Sequence, residues 1–341
     1  MKDSKNIIVI LVFVAAFVAV IALIRFDATG KKGSGLQKEF VYDINKLGKI
    51  DPNLIVYEES ANPFNAGLAE SRGIAVDSKG MIYVCGDKTI RIFAPNGNLL
   101  NEIELTDSPR CIAIAENGTI YVGLKDHIEI YDSQGQTLEE WKILGKDALL
   151  TSIAVTKNDV FVADAGNRNV VRYDTTGNII NRIGEKDTDR NIPGFVIPSP
   201  YFDIAISKDG LLRVVNPGRL CIEAYTFDGD YEFSWGEPSV TIEGFCGCCN
   251  PANFAVLPDG GFVTSEKGLI RIKVYNSDGG FIGVVAGHEQ LAGGSERKIC
   301  QFPEECQKGG FDVAVDVGGR IFVLDTIKNV IRTFCKKEDK P

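Results

Sequence analysis

Histidine is nearly absent from this chain: 341 residues include only two, His127 and His288. Chemistry that needs several imidazoles, such as a three-histidine zinc site, is therefore excluded. Positive charge is also short, with 37 Lys and Arg against 46 Asp and Glu and a net charge of -9. That balance argues against a nucleic-acid partner, which needs clustered basic side chains to displace counterions. Phosphate-loop and dinucleotide fingerprints are missing, and no motif joins a nucleophile to a base. The chain does have 44% hydrophobic and 24% charged residues, the composition of a folded domain rather than a disordered one.

One long apolar run is present, Ile7 to Ile24, with no charge inside it. Eighteen helical residues span about 27 Å, close to the roughly 30 Å of a hydrocarbon core. The run is long for a signal peptide and ends in Ile24-Arg25-Phe26-Asp27 without a small-x-small cleavage site. No cysteine follows closely enough for a lipoprotein anchor. The organisation expected is a short tail (1–6), a transmembrane signal anchor (7–24), a Gly- and Lys-rich flexible linker (25–39) and one large domain (40–341). Lys2 and Lys5 flank one side and Arg25, Lys31 and Lys32 the other, a count that slightly opposes export. The layout of short tail, single span and large domain is that of a signal anchor. It places the domain on the outer side of a cytoplasmic (inner) membrane.

Beyond the linker one phrase recurs six times: Gly73-Ile-Ala-Val-Asp77, Cys111-Ile-Ala-Ile-Ala115, Ser152-Ile-Ala-Val-Thr156, Asp203-Ile-Ala-Ile-Ser207, Asn253-Phe-Ala-Val-Leu257 and Asp312-Val-Ala-Val-Asp316. Its alanines lie 38, 41, 51, 50 and 59 residues apart, the period of propeller blades with growing insertions. Second strands follow, as in Met81-Ile-Tyr-Val84 and Arg320-Ile-Phe-Val323. Asn96-Gly97, Asp228-Gly229 and Asp278-Gly279 mark hairpins, because both residues of each pair tolerate positive φ. The sixth copy stops after its third strand, which would leave an open edge. Leu54-Ile-Val-Tyr57, upstream of the first copy, is the expected closing strand, near 54–58. The fold class that follows is all-β: a six-bladed β-propeller preceded by one N-terminal transmembrane helix.

The third copy, Ser152-Ile-Ala-Val-Thr156 with Val160-Phe-Val-Ala-Asp-Ala-Gly-Asn-Arg-Asn-Val-Val-Arg-Tyr173, resembles an NHL repeat, and copies one and six are looser versions. The resemblance covers roughly residues 70 to 335 and implies an NHL- or TolB-like propeller. It is specific for fold and silent on function, since such propellers host binding, scaffolding and several activities. The NHL-like lyase that cleaves peptidyl-hydroxyglycine relies on histidine zinc ligands; neither histidine here lies on an inner-strand phrase. The Cys-Gly-Cys-Cys-Asn-Pro loop also resembles that of bacterial membrane-anchored propellers, which implies a family feature without an activity.

Nine cysteines fall into two sets. Cys85, Cys111, Cys221 and Cys335 stand singly on predicted strands and read as small core residues. Cys246, Cys248 and Cys249 lie in the connection from blade four to blade five. Cys300 and Cys306 lie in the next connection, so five thiols are expected at one stretch of rim. Three readings are open. Disulfides would suit an extracytoplasmic domain. An iron–sulfur cluster would take four thiolates and make the protein an electron-transfer accessory with a redox partner. Structural zinc would use Cys246-x-x-Cys249, although Cys300-x5-Cys306 lacks that spacing.

Each inner strand opens near the channel mouth, which brings Arg72, Arg110, Asp203, Asn253 and Asp312 there. The acidic and amide side chains offer oxygen ligands for calcium, or else cap strand ends. The two arginines either clamp an anionic ligand or pair with those aspartates. Two functions compete: a binding or scaffold propeller with protein or redox partners, and a metal-dependent, lactonase-like hydrolase at the channel mouth.

Overall fold

The computed structural model describes residues 48–291 and 310–338, together with Val14, Phe17, Val18 and Val20. Those four residues are helical and exposed and are all that is described of the N-terminal unit, 1–44. The rest of the run Ile7 to Ile24 lies outside the described residues, and among those described no helix is long and apolar enough to cross a membrane. The second unit is a six-bladed propeller.

The chain enters it through a 3-10 turn, Pro52–Leu54, whose Asp51 cap accepts the Asn53 N–H, and then two short strands, β1 (Tyr57–Glu59) and β2 (Phe64–Asn65). Blade one is β3 (Ser71–Val76), β4 (Ile82–Gly86), β5 (Thr89–Phe93) and β6 (Leu99–Glu104). Blade two is β7 (Cys111–Ile114), β8 (Ile120–Gly123), β9 (Ile128–Tyr131) and β10 (Thr137–Glu140). Blade three follows as β11 (Leu150–Val155), β12 (Asp159–Asp164), β13 (Asn169–Asp174) and β14 (Ile179–Ile183). Blade four is β15 (Ile204–Ile206), β16 (Leu212–Asn216), β17 (Cys221–Tyr225) and β18 (Tyr231–Trp235). Blade five is β19 (Asn253–Val256), β20 (Phe262–Glu266), β21 (Arg271–Tyr275) and β22 (Phe281–Ala286). Blade six is β23 (Asp312–Val315), β24 (Ile321–Asp325) and β25 (Val330–Lys336), and its outer positions are filled by β1 and β2.

The ring is thus closed by the N-terminal segment, although the pairing strand is not Leu54-Ile-Val-Tyr57 as a whole. Tyr57, Glu58 and Glu59 pair with Lys336, Cys335 and Phe334, while Phe64 and Asn65 pair with Ile331 and Val330. Residues 54–56 run along blade five instead: the Val56 N–H donates to the Val284 carbonyl at 3.0 Å. The preceding 3-10 turn, with proline at its first position, takes in Leu54, the first residue of the apolar run. The junction is locked by Arg332, whose Nε and Nη2 reach the two carboxylate oxygens of Glu59 at 2.8 and 2.7 Å.

Second strands are buried along their whole length, whereas β10 is exposed throughout. Both faces of a second strand meet a neighbouring blade, which is why most of those strands are dominated by apolar residues. The core is divided between the blade interfaces. Val263, Ile272 and Val274 of blade five pack on Val313, Ile321 and Val323 of blade six. Val122 of blade two packs on Ile90 of blade one in the same way. At the outer edge, hairpin glycines seat against the preceding blade. Gly177 (φ +79°) and Gly279 (φ +81°) sit where a Cβ would come within 2.7 Å of Trp141 and 2.5 Å of Trp235. A side chain there would be barred by both backbone conformation and space.

Candidate functional site

All inner strands start at the same end of the channel, and the long connections between blades enter there. Arg72 is the second residue of β3 and Arg110 immediately precedes β7, so two guanidinium groups come from adjacent blades. Both line a cup of about 380 Å3 at the mouth, with Glu70, Thr151, Tyr201 and Asn253. Both also line the channel below it, about 280 Å3, together with Asp203, Asn253 and Asp312. Arg72, Arg110, Thr151 and Asn253 border both spaces, and therefore form the neck between them.

The structure brings the five expected mouth residues together but gives them different work. Asp203 is a staple between three blades. Its Oδ1 accepts the Ser152 hydroxyl of blade three at 2.6 Å and the Ile204 N–H at 2.9 Å, and its Oδ2 accepts the Phe254 N–H of blade five at 2.8 Å. Asp312 joins blade six to blade one through the Ile74 N–H at 2.8 Å and takes the Val313 N–H at 2.9 Å. Asn253 donates to the Phe311 carbonyl at 3.0 Å. The strand-capping role is therefore the observed one, and no group of three or more His, Cys, Asp or Glu among the described residues is placed to hold a metal ion. Burial pushes the Asp203 carboxyl up to about 6 against the pull of its donors. Burial and the neighbouring Asp203 push Asp312 up to about 7.

The arginines do not pair with those aspartates. Arg72 holds Glu70, Nη2 to Oε1 at 3.0 Å, and its buried Nε has no hydrogen-bond partner among the described residues. Arg110 is half-buried and makes no ion pair among the described residues. Burial and the adjacent Arg72 lower its proton affinity.

The first cysteine loop lies on this face. Cys246 is half-buried, Cys248 exposed and Cys249 buried, all three with free thiols. Asn250 pins the loop to blade five: its Nδ2 donates to the carbonyls of Cys246 at 2.6 Å and Lys267 at 3.1 Å, and its Oδ1 accepts the Lys267 N–H at 2.9 Å. The Lys267 ammonium is buried over the Tyr201 ring at 4.7 Å. Burial pushes the Cys249 thiol above its ordinary value even though Lys267 opposes the shift. Cys300 and Cys306 lie outside the described residues, and with them the expected five-thiol convergence. Of the scattered cysteines, Cys85, Cys111 and Cys221 are buried as expected and Cys335 is half-buried.

Beneath the loop is a charge cluster that the repeat pattern hides. Glu266 is fully buried; its Oε2 meets Arg271 Nε at 2.5 Å and its Oε1 meets Lys273 Nζ at 3.3 Å. Lys273 also donates to the carbonyls of Ile242 at 3.1 Å and Gly244 at 2.7 Å, and the Cys246 N–H donates to Glu266 Oε1 at 3.3 Å. The strand phrase Phe-Val-Thr-Ser-Glu followed by Arg-Ile-Lys-Val-Tyr carried the signal: charges at alternate positions of strands otherwise buried on both faces. Glu70, Tyr201 and Lys267 were missed because they lie in connections and turns outside the recurring phrase.

No protein-family model matches the chain, and no curated protein matches it. Solved structures share the fold. A streptogramin B lyase superposes with a TM-score of 0.57 at 12% identity, covering 82% of this chain and 98% of that one. Virginiamycin B lyase from Staphylococcus aureus gives 0.54 at 13% identity, covering 82% and 100%. A protein of unknown function from Bacteroides thetaiotaomicron gives 0.54 at 15% identity, covering 82% and 76%. At these identities the likeness shows the propeller and nothing about activity.

Proposed function

We propose that this chain is a membrane-anchored binding or scaffold propeller, of the NHL-like kind, whose ligand seats at the channel mouth. The observation that carries the reading is Arg110: a half-buried guanidinium without an ion-pair partner among the described residues, opening on a cup of about 380 Å3. Cups of this size suit small ligands or a protruding side chain of a partner. In this reading residues 7–24 anchor the chain and the propeller works on the outer face of the cytoplasmic membrane. The cysteine loops stiffen the rim as disulfides; loaded instead with an iron–sulfur cluster, they would make it an electron-transfer accessory.

Catalysis draws less support. The aspartates that a calcium-dependent hydrolase would use are engaged between blades. A histidine-to-alanine variant of the S. aureus virginiamycin B lyase, solved with quinupristin, is described as catalytically inactive. Here neither histidine lines the cup or the channel, and His127 is held by Asp126 at 2.8 Å in a turn of blade two.

Incubated with esters, lactones and cyclic depsipeptides, the purified chain is expected to leave all of them intact. Turnover that Arg72→Ala and Arg110→Ala both abolish would replace binding by catalysis. Purified anaerobically, it is expected to be colourless, with most loop thiols blocked until reduced. Broad absorbance near about 400 nm with bound iron would instead make the rim an iron–sulfur site.

A further inference from the structure

We infer that the mouth seats an oxyanion, a carboxylate or phosphate group of the ligand, between Arg72 and Arg110. The inference rests on the binding reading above and names the chemistry of what is bound. Two guanidinium groups side by side on adjacent blades, half out of water, repel one another. Among the described residues one carboxylate, Glu70, offsets them, and it makes its ion pair with Arg72 from a position two-thirds exposed. The aspartates that might have neutralised them are held by neutral donors: backbone N–H groups and the Ser152 hydroxyl.

Three other polar side chains of the cup are already committed. Ser71 donates to Asn329 Oδ1 at 2.5 Å, Thr151 to the Phe202 carbonyl at 2.6 Å and Asn253 to the Phe311 carbonyl at 3.0 Å. The charged donors left over belong to the guanidinium groups, including the buried Nε of Arg72. A buried donor without an acceptor is destabilising, and a planar oxyanion is the acceptor that a guanidinium fork fits. The cup leaves room beyond that group for a ligand body lying against Pro200 and Tyr201. In a chain of net charge -9, this is a local reversal of sign where the channel opens.

The test is titration of the full chain in neutral detergent with inorganic phosphate and with succinate, at ionic strength held constant by chloride. The melting midpoint and isothermal titration give the readout. One or both probes should raise the midpoint, and whichever binds more tightly identifies phosphate or carboxylate as the natural group. Arg110→Gln should weaken that binding by about tenfold or more. The same change should leave the unliganded midpoint unaltered or higher, because it relieves the repulsion; a merely structural arginine would lower it. Glu70→Gln should tighten binding several-fold by freeing Arg72, a test that survives if an arginine variant fails to fold. Absence of any shift with both probes, or equal shifts in wild type and Arg110→Gln, would overturn the oxyanion seat. A ligand that binds elsewhere would leave the binding reading standing, whereas turnover would overturn that reading and leave the seat.

Discussion

Replacing Glu266 by Gln should lower the stability of the propeller by about 3–5 kcal/mol, the largest effect expected of a single conservative change in this chain. The carboxylate is fully buried and, among the described residues, is the only acid paired with Arg271 and Lys273, themselves 1% and 0% exposed. Gln keeps the size and one oxygen acceptor, so packing survives and the loss is electrostatic. Two cations then remain in the interior of blade five without a counter-charge. For a domain this large the loss corresponds to a melting midpoint lowered by roughly 10 °C.

The effect should depend on pH in a way that cavity formation would not. Burial already lowers the Lys273 ammonium to about 8, with Glu266 opposing that shift and Arg271 adding to it. Without Glu266 the ammonium gives up its proton at still lower pH, which removes one of the two uncompensated charges. The penalty should therefore be smaller at pH 9 than at pH 6.5, and an equal penalty at both would sink the electrostatic account. The loop above should respond as well. Lys273 and Glu266 hold Ile242, Gly244 and Cys246, so after reduction the buried Cys249 should react with a thiol reagent faster in Glu266→Gln than in reduced wild type. Unchanged Cys249 reactivity would show that the loop is held by Asn250 alone.

The same cluster shows what could and could not be read in advance. The six inner-strand phrases were legible because blade stacking repeats the same environment, so burial writes the same apolar run at each turn of the ring. The closing strand was legible as a need, since blade six lacks a fourth strand, but its place was not. Leu54, Ile55 and Val56 look like strand residues, yet they cross along blade five, and the pairing begins at Tyr57. Arg72 and Arg110 could be placed at the mouth because each stands directly before a recurring phrase. What they faced could not, because Glu70 and Tyr201 belong to connections whose length and sequence differ at every blade. Asp203 and Asp312 open their own phrases and so could be placed at the channel too. Their role was decided by hydrogen bonds to the next blade, which depend on inter-blade geometry that a sequence does not carry.

That pair also sets how the fold should answer to pH. Both carboxyls hold their protons more tightly in the folded chain, at about 6 for Asp203 and about 7 for Asp312, than at the ordinary aspartate value of 3.8. A carboxyl raised in this way adds stability that is fully present below its unfolded value and is lost as pH rises through the folded one. The loss runs from the ordinary value of 3.8 up to about 7, and its window from pH 5 to 7 lies above the range where other carboxylates protonate and below the Lys273 value of about 8. A tenfold gain in proton affinity on folding corresponds to about 1.4 kcal/mol, but both residues face the channel and share one field, so a combined loss on the order of 2–3 kcal/mol is expected across the window. Urea unfolding at pH 5 and pH 7 measures it directly. In Asp312→Asn the profile should flatten, because removing one charge also relieves Asp203. Stability at pH 5 should fall at the same time, since an amide offers one oxygen where Ile74 and Val313 now find two. A wild-type profile that rises from pH 5 to pH 7 would mean that the donors from neighbouring blades outweigh burial, and that these carboxylates are charged in the working protein. The channel would then carry two negative charges below Arg72 and Arg110, and anion binding at the mouth would have to strengthen as the aspartates are neutralised.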